Sequence, residues 1–239
     1  MVGAVPGYRY HLVQVSGFAG RARGQNADGT VAAPVAEEIA RYGAVQGLDK
    51  PALIGHSMGG TIGMMAAIRH PEALSKLMVV DMTPFLGALF GPPGATADSV
   101  KPVADSLMVQ IRTSDPAARQ MRWTATLARM IDNVAMRPGA PDDSLSSDQD
   151  VLARAFHELI VTDLRPQLHR ISVPTTVLYV ASKAPGVTEA SVDAGYKEAY
   201  APLKGVTLKR IPASAHFIMW DQSQQFQVEV RGFLKPATP

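Results

Sequence analysis

The chain has 239 residues, 46% of them hydrophobic and 18% charged, which excludes a disordered chain and leaves apolar material for a large core. Its 23 basic and 21 acidic residues leave a net charge of +2 with no basic block, so no nucleic-acid partner is expected. It has no cysteine, which excludes disulfides, zinc–thiolate sites and cysteine nucleophiles, and no run of about 18 apolar residues, so no membrane span is expected. The opening MVGAVPGYRYHLVQV lacks a charged stretch followed by an apolar run, so it does not read as a signal peptide. As written the chain reads as cytoplasmic; a periplasmic or secreted location stays open if a leader stood upstream.

The elements follow in chain order. Tyr10–Val15 (YHLVQV) is β-rich, ends in Ser16-Gly17 and predicts a buried strand. A Gly- and Arg-containing loop leads to a helix over Val31–Tyr42, with Val31, Val35, Ile39 and Tyr42 on one face. Leu48–Ile54 predicts a second strand. Met58–Arg69, small and apolar throughout, predicts a buried helix stopped by His70-Pro71. Leu77–Val80 predicts a third strand, with Asp81 at its carboxyl end. This alternation argues for an α/β fold whose mostly parallel sheet is flanked by helices. From Pro84 to about Ile171 the pattern turns helical, near Ala97–Arg112, Pro116–Asn133 and Asp148–Leu168. Gly/Pro clusters at 91–94 and 138–141 separate these stretches. Strands resume at Pro174–Val180 and Val206–Ile211. Between them a helix carries Val192, Tyr196, Ala199 and Tyr200 on one face. Gln224–Leu234 closes the chain with Phe226, Val230, Phe233 and Leu234 inward. The expected division is a core of 1–83 and 172–239 and an inserted helical unit of 84–171.

The strongest chemical signal is Gly55-His56-Ser57-Met58-Gly59-Gly60. It is a G-x-S-x-G pattern between a predicted strand and a predicted helix, the context this nucleophile elbow needs. So tight a turn demands small neighbours, which Gly55 and Gly59 supply. It places the Ser57 hydroxyl at a helix N-terminus, where the Met58 N–H would face a developing oxyanion. A serine needs a base to take its proton. Of six histidines, His216 follows the last predicted strand and so lies at the same sheet edge as Ser57. His56 sits inside the elbow, badly directed toward Ser57. For the orienting carboxylate, Asp81 at a strand end is favoured. Asp193 and Glu189, the first acids after Pro174–Val180, are the alternatives. A structural role for Asp81, capping the segment at Thr83-Pro84, is the other reading of that residue.

On these residues the chain resembles the α/β-hydrolase fold superfamily. The resemblance rests on GHSMGG (55–60), VVDMTP (79–84), DLRPQLHRISVPTTVLYV (163–180) and IPASAHFIMWDQ (211–222), and covers nearly the whole chain. The order Ser57, Asp81, His216 is the family's nucleophile–acid–histidine order. In many members the acid follows the strand matching PTTVLYV; in a minority of esterases it follows the preceding strand, which here gives Asp81. The resemblance makes 84–171 a helical cap. It also implies that strands and an HG-containing oxyanion loop usually stand ahead of YHLVQVSGFAG. The sequence therefore reads as short at its front by roughly 40 residues or more relative to the usual domain size. One oxyanion donor would then be missing, at a cost of about 2.7–4 kcal/mol in transition-state stabilisation.

The resemblance implies a serine hydrolase cleaving carboxylic esters of small molecules, with no metal and no organic cofactor. Met108, Met121, Trp123, Leu127 and Met130 of the cap could line an acyl pocket or form the cap's own core. The alternative class is an impaired, small-molecule-binding relative; thioesterase, lactonase, C–C hydrolase and acyltransferase also stay open. Epoxide hydrolases and dehalogenases fit less well, since those relatives carry an aspartate at the position of Ser57.

Overall fold

The computed structural model describes residues 2–138, 140–181 and 183–235. Met1, Gly139, Ser182 and residues 236–239, which the sequence reading places in loops or at the ends of the core, lie outside the described residues.

Four parallel strands form one sheet in the order β1 (Ala52–His56), β2 (Lys76–Val80), β3 (Thr175–Tyr179), β4 (Thr207–Arg210). The registers Gly55↔Val79, Val79↔Val177 and Val177↔Leu208 align the strands' carboxyl ends. β2 is buried from Leu77 to Val80, as a central parallel strand covered on both faces must be. Its alternate residues feed two cores. Leu77 and Val79 pack with helices α1 (Ala32–Val45) and α2 (Met58–Arg69) on one face. Met78 and Val80 pack with Ile218, Phe226 and Val230 on the other, from helices α8 (Ile218–Asp221) and α9 (Ser223–Leu234). α2 is buried continuously from Gly60 to Ile68, which explains an apolar composition with no polar stripe.

Between β2 and β3 lie helices α3 (Ala97–Thr113), α4 (Pro116–Met130), α5 (Ala140–Ser146) and α6 (Gln149–Val161). Their starts are written locally. Thr96 and Ser99 form a capping box for α3, Asp115 caps α4 ahead of Pro116, and Asp148 accepts from Asp150 and Val151 at α6. α3 and α6 bury Val100, Ala104 and Ile160 against Phe85. α6 is tied to the sheet layer by the buried Glu158, whose carboxylate accepts the N–H groups of Val31, Ala32 and Ala33 at 2.6, 2.8 and 3.0 Å. These are donors at the start of α1 that the helix itself cannot satisfy. Helix α7 (Glu189–Ala199) precedes β4 and opens on a Thr188/Ser191 capping box.

Three expectations need correction. Tyr10–Val15 forms no strand: Leu12 is 77% and Val13 56% exposed. β propensity becomes a strand only through a ladder partner, and among the described residues β1 pairs with β2 alone. The segment's contribution comes from its flanks, where Val5 inserts beside Met78 and Val80, and Val15 packs against the α1–α2 core. The 138–141 cluster lies between α4 and α6, but the stretch ahead of Asp148, where no helix is expected, holds a further short one, α5, from Ala140. The stretch Asp148–Leu168 is not one helix. α6 ends at Val161, and a 3-10 turn over Arg165–Arg170 follows, with Pro166 near its start.

Candidate active site

Ser57 closes β1 and opens α2 at φ 53 and ψ −123, a conformation that non-glycine residues rarely adopt. Such strain costs about 1–3 kcal/mol and persists only where surroundings enforce it. Here the Ser57 N–H donates to Val80 O at 3.0 Å, extending the sheet, while Ser57 O accepts from Gly60 N at 2.8 Å and Thr61 N at 3.3 Å. The turn brings the start of α2 back against β1. A Cβ on Gly55 would lie 2.1 Å from Gly59 O, and one on Gly60 would lie 2.9 Å from Val79 Cγ1. Around Gly59 there is open space, so the motif's second glycine is not held by packing; Gly60, which the pattern does not include, is. Met58 N–H is the first amide of α2 and has no acceptor among the described residues.

Asp81 stands one residue past β2, also at positive φ (50), with its N–H on Leu178 O at 2.7 Å. Its carboxylate Oδ2 lies 2.6 Å from Nδ1 of His216, and Oδ1 accepts from Val180 N at 3.2 Å and from the Tyr196 hydroxyl at 3.3 Å. The side chains of His216 and Asp81 are 20% and 11% exposed, so this contact is shielded from water yet reachable from one side. The sequence alternatives do not meet His216. Asp193 accepts from the Tyr179 hydroxyl at 2.9 Å and Arg210 Nε at 3.0 Å, and Glu189 pairs with Arg210 at 2.8 Å. The Ser57 hydroxyl hydrogen-bonds to no described residue. It sits at the end of the strand next to Asp81, where sheet geometry alone places it.

Two residues that sequence reasoning passed over fix the His216 segment. His56, set aside as misdirected toward Ser57, points instead at His216: its Nε2 donates to His216 O at 3.0 Å, and the two rings lie 4.4 Å apart. Asp221 accepts from Ala215 N at 2.9 Å through one oxygen and from Asn133 N at 2.8 Å through the other. The only sequence signal for His56 is its place inside the elbow; for Asp221 it is proximity in the chain to His216. Phe217 N donates to Met130 O at 3.1 Å, so the end of α4 reaches the histidine segment. Of the expected pocket residues, Met121 is 73% exposed and Leu127 is buried. Met108 instead lines a separate cavity of about 460 Å³ with Met65 and Leu164.

Burial, reinforced by the neighbouring His216, pushes the His56 imidazole down to about 4 from an ordinary value of 6.5. The unfolded chain therefore takes up a proton between those values that the folded protein refuses. Stability from this source is complete above pH 6.5 and is lost as pH falls through 4, by about 3 kcal/mol in all. His56→Gln keeps a donor toward His216 O but does not titrate. Urea unfolding at about pH 7 and about pH 4.5 is expected to show a decline roughly 2 kcal/mol smaller in that variant. An equal decline in both proteins would remove His56 as the source.

A strand–serine–helix elbow on a parallel sheet, with a histidine–aspartate contact at the same edge, defines an α/β protein of the hydrolase class. The comparisons agree. The family model described as "Alpha/beta hydrolase family" matches residues 3–228, and the chain belongs to that family. It is 27% identical over 238 residues to the pimeloyl-[acyl-carrier protein] methyl ester esterase of Aliivibrio fischeri (strain MJ11), a match covering 95% of this chain and 83% of that protein. Across three curated relatives the match spans between 57% and 83% of the relative's length. The fold is also that of an esterase from Exiguobacterium antarcticum, with a TM-score of 0.72 at 19% identity over 93% of this chain and 80% of that one. The enol-lactonase from Burkholderia xenovorans LB400 gives 0.68 at 17% identity, over 92% and 78%. Among the described residues no helix is long and apolar enough to cross a membrane.

Proposed function

We propose that this protein hydrolyses carboxylic esters of small molecules through an acyl-enzyme on Ser57. The observation that carries this reading is the 2.6 Å contact between His216 Nδ1 and Asp81, beside a serine held at positive φ on the next strand end. The names of the relatives point to ester and lactone substrates.

In this mechanism His216, with Nδ1–H donated to Asp81, has Nε2 free to accept a proton. Ser57 Oγ attacks the ester carbonyl carbon as its proton passes to His216. The negative charge on the former carbonyl oxygen is met by Met58 N–H and the positive end of α2. Collapse expels the alcohol, which leaves with the proton from His216. Water then attacks the acyl carbon, giving up a proton to His216, and the acid departs as Ser57 recovers its own. Residues 84–171 act as the cap over this edge, on a core of 1–83 and 172–239.

A fluorophosphonate probe tests the assignment. The parent protein is expected to become labelled, and Ser57→Ala to lose both labelling and about 10³-fold or more of its turnover of p-nitrophenyl acetate. Labelling that persists in Ser57→Ala would overturn the reading.

A further inference from the structure

We infer that Tyr196 is a positioning residue of the site, acting through Asp81 by donating its hydroxyl to the carboxylate oxygen that does not face His216. This rests on the reading of Asp81 as the orienting acid. The observations are local to α7. Tyr196, on α7, and Tyr200, which caps it, both pack against the core shared with α1 and α2. The Tyr196 hydroxyl reaches Asp81 Oδ1 at 3.3 Å, where Val180 N also donates, while Oδ2 takes His216 Nδ1. Its ring is clamped in a stack, 4.1 Å from the ring of Tyr179 and 6.3 Å from that of Tyr200. Tyr179 is anchored in turn by Asp193, and Tyr200 by donation to Met82 O at 2.7 Å. Burial and the charge of Asp81 hold the Tyr196 phenol well above its ordinary range, so it is a donor at any working pH.

A carboxylate one residue past a strand has few backbone donors: among the described residues Val180 N is the one that reaches Oδ1. Without a second donor, Oδ1 would be free to rotate toward water and carry Oδ2 away from the imidazole. The tyrosine closes that freedom. It also draws charge toward Oδ1 and so tempers the attraction of Oδ2 for the Nδ1 proton. The charged or titratable groups facing Asp81 are His216, His56, Tyr196 and Tyr200. Of Tyr196 and Tyr200, only Tyr196 touches the carboxylate. Tyr200 caps the end of the same helix and shares its stack but spends its hydroxyl on a backbone carbonyl, and is therefore the matched control.

The test compares Tyr196→Phe, Tyr200→Phe and Ser57→Ala. It reads steady-state turnover of p-nitrophenyl acetate and the low-field proton resonance of the His216–Asp81 hydrogen bond by NMR. Tyr196→Phe is expected to lower kcat about tenfold, with KM unchanged within about twofold, and to displace the low-field resonance. Tyr200→Phe is expected to keep both at parental values. The proposal is overturned if Tyr196→Phe leaves kcat and the resonance in place, if Tyr200→Phe moves them equally, or if the parent shows no such resonance. Failure of the acyl-enzyme reading shows separately, as turnover retained in Ser57→Ala. The resonance needs no turnover and reports on Tyr196 in either case.

Discussion

Replacing Asp81 by asparagine is expected to lower kcat on p-nitrophenyl acetate about 10⁴-fold, the scale set by loss of the correct imidazole tautomer in a Ser-His-Asp arrangement. The physical reason is directional. A carboxylate only accepts, so its Oδ2 at 2.6 Å compels His216 to carry its proton on Nδ1 and leaves Nε2 open. An asparagine that keeps its oxygen toward Val180 N and Tyr196 turns its amide toward Nδ1 and favours the opposite tautomer. The variant should still fold, because asparagine is among the residues most tolerant of the positive φ of 50 found there. Asp193→Asn provides the contrast. Asp193 faces Tyr179 and Arg210, so its loss should change kcat less than about threefold, with a stability change below about 1 kcal/mol typical of an exposed ion pair. A large loss in Asp193→Asn with a small one in Asp81→Asn would transfer the orienting role to α7.

The second large effect concerns stability. Gly55→Ala is expected to cost at least about 3 kcal/mol and to lower Tm by roughly 6–12 °C. The added methyl meets Gly59 O at 2.1 Å, Gly59 C at 2.4 Å and Gly60 N at 2.8 Å. All three are backbone atoms, so relief requires moving the start of α2 off the sheet rather than turning a side chain. Gly59→Ala meets open space at a helical position and should fall within about 1 kcal/mol of the parent, on the stabilising side, because alanine narrows the unfolded ensemble. Thermal melts of the two variants decide the matter. Equal losses would mean that the elbow needs its glycines for chain freedom and not for close approach.

The contrast between these glycines shows what the sequence can carry. A pattern records which residues are small; it does not record which are crowded, and Gly60 against Val79 and Met82 was visible only once the strands were in register. The sheet was legible because buried parallel strands such as LMVV have no polar alternation, and helix starts were legible because Thr96, Asp115 and Asp148 cap through local bonds. YHLVQV misled because pairing is decided by a distant partner. In the site, Ser57, Asp81 and His216 follow from strand ends and topology. Their supports do not: His56 reaches across 160 residues of chain to His216 O, and Tyr196 across 115 to Asp81. Only folding makes such neighbours.

The junction at the end of α4 has a mechanical consequence. Phe217 N is bound to Met130 O, and Asn133 is bound to both Asp221 and Trp220 O. The end of α4 and the segment that carries the imidazole are thus stitched by main-chain and carboxylate bonds at Phe217, Trp220 and Asp221, just past His216. A displacement of α4 must break these bonds or take the imidazole with it. Any molecule whose binding energy favours one placement of α4 thereby favours one placement of the His216 imidazole, and the linkage is reciprocal. Ligand binding that moves α4 and the alignment of the His216 ring would then be one equilibrium instead of two.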